Sequence, residues 1–266
     1  MEFEYIYIVK IIAYFIIYSI IGWLIESVYK SFLQKKWVNT GFLNGPICPI
    51  YGVGALMMHF FLDKYKMNAV LVFLFGFIIL SIWEYIVGLI LEKAFNTKYW
   101  DYSENKFNIQ GRVCLFNSTV WGVLSLLFIY WWHPFISEKI DMIPQNILII
   151  AVSILSAYIV GDTIQSVVKL KTLDKRLEKL KELNETIKTK LSELNNIKIT
   201  TPDYSKGLEE IVEKLQEQQK VLKYKVSKQT TRLKKAFPTM KSEKISEFLS
   251  QKMEEIREIK EKIKGE

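Results

Sequence analysis

Three carboxylates stand inside otherwise apolar runs of this 266-residue chain. Glu26 follows Gly22-Trp23-Leu24-Ile25, Glu84 lies within Ser81-Ile82-Trp83-Glu84-Tyr85, and Asp162 follows Gly161. An ionisable group is expensive in hydrocarbon, so each marks a candidate ion pathway, relay or binding site. Asn117 and Ser118 add uncharged polarity to a further apolar run, while Glu92 and Arg112 fall at the edges of such runs. The competing reading is structural. Arg112 would neutralise one carboxylate, Asn117 would bond across a helix interface, and Glu26 and Asp162 would reach toward the headgroups. The depth of Glu84 favours function for that residue.

A second concentration of informative residues is Asn39–Ala55, with four glycines, two prolines, two asparagines and Cys48 between apolar stretches. Gly41 and Gly45 permit positive φ, and Pro46 and Pro49 fix φ and remove donors, so the backbone there is not a regular helix. Asn44, Gly45, Pro46, Cys48, Pro49, Tyr51 and Gly52 are its candidate site residues. A third stretch reads Lys98-Tyr99-Trp100-Asp101-Tyr102-Ser103 and then Asn108-Ile109-Gln110-Gly111-Arg112-Val113-Cys114. Its aromatics suit an interface anchor. Trp100, Asp101, Tyr102, Gly111 and Arg112 are its candidates. Irregular backbone at membrane depth is tolerated where it packs in protein or lines a wet cavity.

Enzyme signals are missing. There is no G-x-x-x-x-G-K-[ST], so ATP binding through a P-loop is not expected. His59 and His133 lack metal-type partners at helical spacing, and no base accompanies Cys48 or Cys114. No cofactor, metal or catalytic activity is expected. Two cysteines exclude a disulfide scaffold, and free thiols are the expectation in a reducing compartment. The start Met1-Glu2-Phe3-Glu4 lacks a basic region, so a cleaved secretory signal is not expected.

The elements that must position these groups are long apolar helices. Five runs approach the roughly 20 residues that cross a bilayer core: about Ile6–Tyr29, Cys48–Leu62, Ala69–Leu91, Val113–Trp132 and Ile143–Val168. The second is short and starts inside the glycine- and proline-rich stretch. Charge divides the chain in two. Met1–Val168 holds 11 Lys+Arg against 11 Asp+Glu, and Lys169–Glu266 holds the remaining 25 and 17, so the whole net charge of +8 sits in the tail. The expected architecture is all-α. A helical membrane domain spans 1–168 and a charged cytoplasmic coiled-coil domain spans 169–266. Lys30, Lys35, Lys36, Lys93, Lys98, Lys106 and Arg112 fall on one side and Lys64, Lys66 and Lys139 on the other. That bias puts the N-terminus outside and the tail in the cytoplasm.

The tail carries Leu173, Leu177, Leu180, Asn184, Ile187, Leu191 and Leu194 at alternating spacings of four and three, the seam of a heptad. Asn184 takes an a-type position, where a polar residue sets register. Thr201-Pro202-Asp203 restarts a helix, with Thr201 as N-cap and Pro202 at its first position. Leu208, Ile211, Leu215 and Leu222 continue the stripe. Pro238 makes a second break, before Ile245, Leu249, Ile256, Ile259 and Ile263. The three helices fold back as one bundle or pair with a neighbouring subunit. Anionic lipid is the expected partner of the basic surface, and nucleic acid is not, because acidic residues are interleaved throughout.

The segments Gly22–Glu26, Gly41–Gly52, Trp100–Ser103 and Gly111–Leu115 resemble the bacterial putative ABC-transporter type IV family, also called CmpB-like. The resemblance runs from about Tyr14 to Val168 and excludes the tail. Gln110 stands where that family usually has Asn. What the resemblance implies is a multi-span permease of the cytoplasmic membrane. It brings no substrate and no assigned catalytic residue. The leading expectation is a permease-like transport subunit whose polar pathway is lined by Glu26, Glu84, Arg112, Asp162 and Asn117. A separate ATPase subunit or an ion gradient would power it. The alternative is a non-transporting homo-oligomeric scaffold or sensor acting through the coiled coil.

Overall fold

Long stretches without helix breakers become long helices, and the breakers fall where they end. The structure is a computed structural model and describes residues 2–197 and 202–265. It contains α1 (Glu2–Gln34), α2 (Pro49–Leu62), α3 (Ala69–Phe95), α4 (Leu115–Leu127), α5 (His133–Asp141), α6 (Gln145–Ile197), α7 (Pro202–Ala236) and α8 (Glu243–Gly265). A single π turn, Phe128–Trp132, joins α4 to α5, so the two continue as one apolar rod. The fold is all-helical, with no strand among the described residues. Pro49 opens α2 at its first turn, where the missing N–H costs nothing. Asn68 caps α3, its side chain accepting from the Val70 and Leu71 amides. Pro202 opens α7 as expected, while the expected cap Thr201 lies outside the described residues.

Four helices are long and apolar enough to cross a membrane: Glu4–Gln34, Ala69–Phe95, Leu115–Asp141 and Gln145–Leu194. The remaining apolar run is α2, of 14 residues. At 1.5 Å per residue it reaches about 21 Å, short of a core of about 30 Å. It packs between α1 and α3. Exposure follows the inverse of a soluble protein. On α3, Val70, Leu74, Ile78, Ile82, Ile86 and Ile90 repeat every four residues and are all exposed. The opposite stripe, Val72, Gly76, Leu80 and Glu84, is buried. An apolar stripe of that length facing water would be an aggregation site; facing lipid it is at rest.

The chain divides into two compact units, and the division is not a single cut. The first contains Met1–Val167 together with Lys235–Lys241, and the second contains Val168–Lys234 and Ser242–Glu266. Val168 itself lies inside the continuous α6. In the second unit the lower part of α6, α7 and α8 pack on one another within the chain. Leu173, Leu177, Leu180, Ile187 and Leu194 of the heptad seam are buried, with Leu208, Val226, Ile245 and Phe248 from the other two helices. Leu191 of the same seam stays exposed. Asn184 accepts from Gln219 of α7 and donates to Gln251 of α8 at 3.4 Å, so this polar seam residue fixes the relation of three helices. Lys244 pairs with both Asp174 and Glu178, at 2.8 and 2.7 Å.

Candidate functional site

The Asn39–Cys48 loop is held by side chains of α1. Trp23 Nε1 donates to Asn39 Oδ1 at 2.7 Å, and Asn39 Nδ2 donates to the Asn44 carbonyl at 2.8 Å. Ser27 and Thr40 share a buried hydroxyl bond of 2.8 Å, and the Cys48 amide donates to the Ser19 carbonyl at 3.0 Å. Gly41 takes φ +91°, the conformation its lack of Cβ allows. Gly45 is not at positive φ. A Cβ there would press on the Tyr158 hydroxyl and on Asp162, so close approach, not a left-handed turn, requires glycine. Pro46 is exposed beside it.

Asp162 serves that loop directly. Its Oδ2 accepts from the Gly45 amide at 2.8 Å, and its Oδ1 accepts from the Asn44 amide at 3.2 Å and the Asn44 side chain at 2.8 Å. Ser166, one turn on, donates to the same carboxylate at 3.4 Å and accepts from Asn44 at 2.7 Å. A short aspartate with several donors, two of them backbone, is a well-built clamp between α6 and the loop.

Glu84 has the most convergent surroundings. It is buried on α3 and accepts from Tyr102 Oη at 3.3 Å and Trp121 Nε1 at 3.1 Å, with Asn117 as a further donor. These donors come from the α3–α4 loop and from successive turns of α4. The ring of Tyr51, on α2, lies 5.9 Å from that of Trp121. Tyr51 is within electrostatic reach of Glu26, Cys48, Tyr102 and Glu84, which makes it the centre of one polar neighbourhood. Gly22 and Gly52 permit this closeness: a Cβ on Gly22 would overlap the Tyr51 side chain, and one on Gly52 would meet Ser19 and Phe15. Burial and the adjacent Glu84 push the Tyr102 phenol well above its ordinary range, which keeps it a donor. Glu26, at the edge of the neighbourhood, accepts from Lys30 at 2.6 Å, and the Cys48 thiol lies 3.9 Å from its other oxygen.

Arg112 goes elsewhere. Its Nη2 pairs with Glu92 at 2.8 Å, Nε reaches the same oxygen at 3.1 Å, and Nη1 donates to Gln110. Its guanidinium stands over the Tyr85 ring, 5.3 Å from the centroid. Trp100 Nε1 donates to the Arg112 carbonyl at 2.8 Å, and Tyr102 N to the Gly111 carbonyl at 2.8 Å. Gly111, at φ +66°, lets Asp101, Ser103 and Lys98 converge against its backbone. Arg112 therefore has its own carboxylate and is not the partner of Glu26, Glu84 or Asp162.

Asp101 is the best-gripped group of the loop, its side chain 4% exposed. Lys98 donates to it at 2.7 Å and Ser103 at 2.6 Å, and Lys241 forms an ion pair with it. Burial pushes its carboxyl up, but donation from Lys241, Lys98 and Ser103 outweighs that and holds it well below the usual carboxylate range. A depressed folded value stabilises above the unfolded value near 3.9 and loses that contribution as pH falls through the folded one. The melting difference between the native chain and Asp101→Asn is expected to stay flat from about pH 8 to about pH 5. It is expected to close below about pH 4. A difference that already closes between pH 7 and 5 would show that Asp101 is not held in this way.

Cys48 and Cys114 are both buried and free, as expected. Two relations escaped the linear sequence. The Cys114 sulfur accepts from Asn105 at 3.4 Å. His59 and His133, from α2 and α5, lie with ring centroids 4.4 Å apart. Tyr18 is hydrogen-bonded to His133 Nδ1 at 3.0 Å, beside the π turn. Glu84 did carry a sequence signal: it extends the four-residue repeat Val72, Gly76, Leu80 of the buried stripe.

The same stretch of chain that builds these clusters is matched by a known family. Residues 13–167 match the family described as putative ABC-transporter type IV. The chain belongs to that family. As a putative ABC-transporter type IV protein it is a membrane protein, with the matched region running from within α1 into α6. The family match includes every candidate residue above except Asn184, and excludes Lys235–Lys241. No curated protein and no solved structure matches the chain.

Proposed function

We propose that this chain is the permease-like subunit of a transport system, with the Glu26–Tyr51–Glu84 neighbourhood as its polar pathway. The single observation behind this is Glu84. A carboxylate buried on a spanning helix and approached by donors from two other elements is costly to keep as mere glue. Asn117 and Tyr51 belong to the pathway, while Asp162 and Arg112 act as braces of its two loops. The charge bias puts the N-terminus outside and the motif loops and tail in the cytoplasm. Lacking a P-loop, the chain takes its energy from a separate ATPase subunit docked on those loops, or from an ion gradient.

The test is purification of the native chain from its own membrane, identification of co-purifying subunits, and flux measurement in liposomes. ATPase subunits are expected to co-purify, and Glu84→Gln is expected to abolish uptake while the protein still inserts and folds. A native preparation with neither partner nor flux would overturn the reading.

The second reading is a non-transporting scaffold or sensor that works through its tail, alone or as a homo-oligomer. It is favoured by the in-chain packing of α6, α7 and α8 and by the location of Lys235–Lys241 with the membrane unit. Deleting Lys169–Glu266 would not separate the two readings, because it also removes those seven residues from the membrane unit. Substitutions on the exposed tail surface, such as Tyr224 or Met253, spare both packings and are the cleaner probe.

A further inference from the structure

The seven residues Lys235–Lys241, the last two of α7 and the turn that follows them, belong with the membrane unit and bind its loops. Two elements receive them, α1 and the α3–α4 loop. From α1, Lys30 Nζ donates to the Ala236 carbonyl at 2.6 Å and Gln34 Nε2 to the Lys235 carbonyl at 3.0 Å. These are last-turn carbonyls of α7, which lack intrahelical donors and favour a nearby cation. The Phe237 ring meets Tyr99 edge-on at 5.0 Å and 78°, with Lys30 5.4 Å above its centroid. Lys98 and Lys241 exchange both backbone bonds, each 2.8 Å, as an antiparallel pair. The Asp101 amide donates to Thr239 Oγ1 at 3.3 Å, and the Asp101 carboxylate pairs with Lys241. Ala236 is 1% exposed and Met240 2%.

These contacts have the composition of a peptide complex: donors for an end of helix, an aromatic slot, one backbone edge and one anionic pocket. We propose that Glu26–Gln34 and Lys98–Asp101 form a docking surface for a helix end and the turn that follows it, and that the chain's own Lys235–Lys241 is its resident ligand. While the turn is in place, no other segment can use that face. Each end of the turn is one link from the polar neighbourhood. Lys30 joins the Ala236 carbonyl to Glu26, and Asp101 precedes Tyr102, which donates to Glu84. Departure of the turn therefore takes one partner from each of Lys30, Tyr99 and Asp101 together, and occupancy of the surface is felt at both carboxylates. This goes beyond the transport reading and holds whether or not anything is transported.

Two measurements on the full chain in nanodiscs test it. With Lys98→Cys and Lys241→Cys, mild oxidation is expected to give a disulfide within one chain, because a doubly bonded antiparallel pair has Cα atoms about 5.5 Å apart. Native Cys48 and Cys114 are buried and set the background. A cross-link that appears only between two chains would assign the ligand to a second copy and overturn occupancy in cis. In a Met240→Cys reporter, maleimide labelling is expected to be slow, and about tenfold or more faster when Phe237→Ala and Lys241→Ala are added. Equal rates with the turn intact and disrupted, or no cross-link at all, would show that the turn does not occupy the surface. Neither readout involves flux, so failure here leaves the transport proposal standing, and the reverse.

Discussion

Glu84→Ala is expected to destabilise the folded chain by about 3–5 kcal/mol, the largest effect of any single substitution in the membrane unit. The carboxylate accepts from Tyr102, Trp121 and Asn117, and all three lose their acceptor together when it is removed. An orphaned buried donor costs about 1–3 kcal/mol, and the small alanine adds a cavity where the carboxylate stood. Glu84→Gln keeps the volume and one good acceptor but points an amide N–H₂ at donors, so its expected cost is about 1–2 kcal/mol. Thermal or denaturant unfolding in one detergent, with all three proteins side by side, measures this ordering. An alanine variant within about 1 kcal/mol of the native chain would mean that the donors have other partners and that Glu84 is not their organiser. The glutamine variant matters most for function, since it separates a folding defect from a lost pathway: a cooperatively folded protein, only modestly destabilised, with lost uptake points to the carboxylate itself.

Asp162→Ala carries the second largest effect, about 2–4 kcal/mol, and a different signature. Asp162 accepts from two successive backbone amides of the Asn39–Cys48 loop and from the Asn44 side chain. Removing it unties the loop from α6 without opening the helix packing elsewhere. The expected observation is faster amide exchange confined to 41–47, larger than any change in α3 or α4, together with the lowered melting temperature. Asp162→Asn retains one acceptor and is expected to fall between. Uniform loosening across the membrane unit, or none in the loop, would contradict the clamp. The contrast with Glu84 is useful because both residues look alike in sequence, each a lone acid in an apolar run. One is met only by side chains, from α4 and the α3–α4 loop, and the other chiefly by two backbone amides and a side chain of the Asn39–Cys48 loop. That difference is why Glu84 is assigned to the pathway and Asp162 to its support.

The division of labour between sequence and structure follows from the range of the interactions involved. Helices, their apolar faces and the Pro202 that opens α7 are local properties, encoded over three or four residues, and they are legible in the chain. So were the glycine- and proline-rich loop, the family to which residues 13–167 belong, and the charged helical tail. Partner choice is not local. Glu84 and Trp121 are 37 residues apart, Asn44 and Asp162 are 118, and Lys30 and Ala236 are 206. No spacing rule reaches that far, because the pairing is decided by which helix faces meet. The buried stripe of α3 against α4 gives Glu84 its donors, and α6 against the loop gives Asp162 its amides. The placement of Pro238 shows the same limit. In sequence it is a helix break in a charged tail, and in the structure the residues around it belong to the membrane unit. A break says only that the chain turns, while packing alone decides what the turn touches.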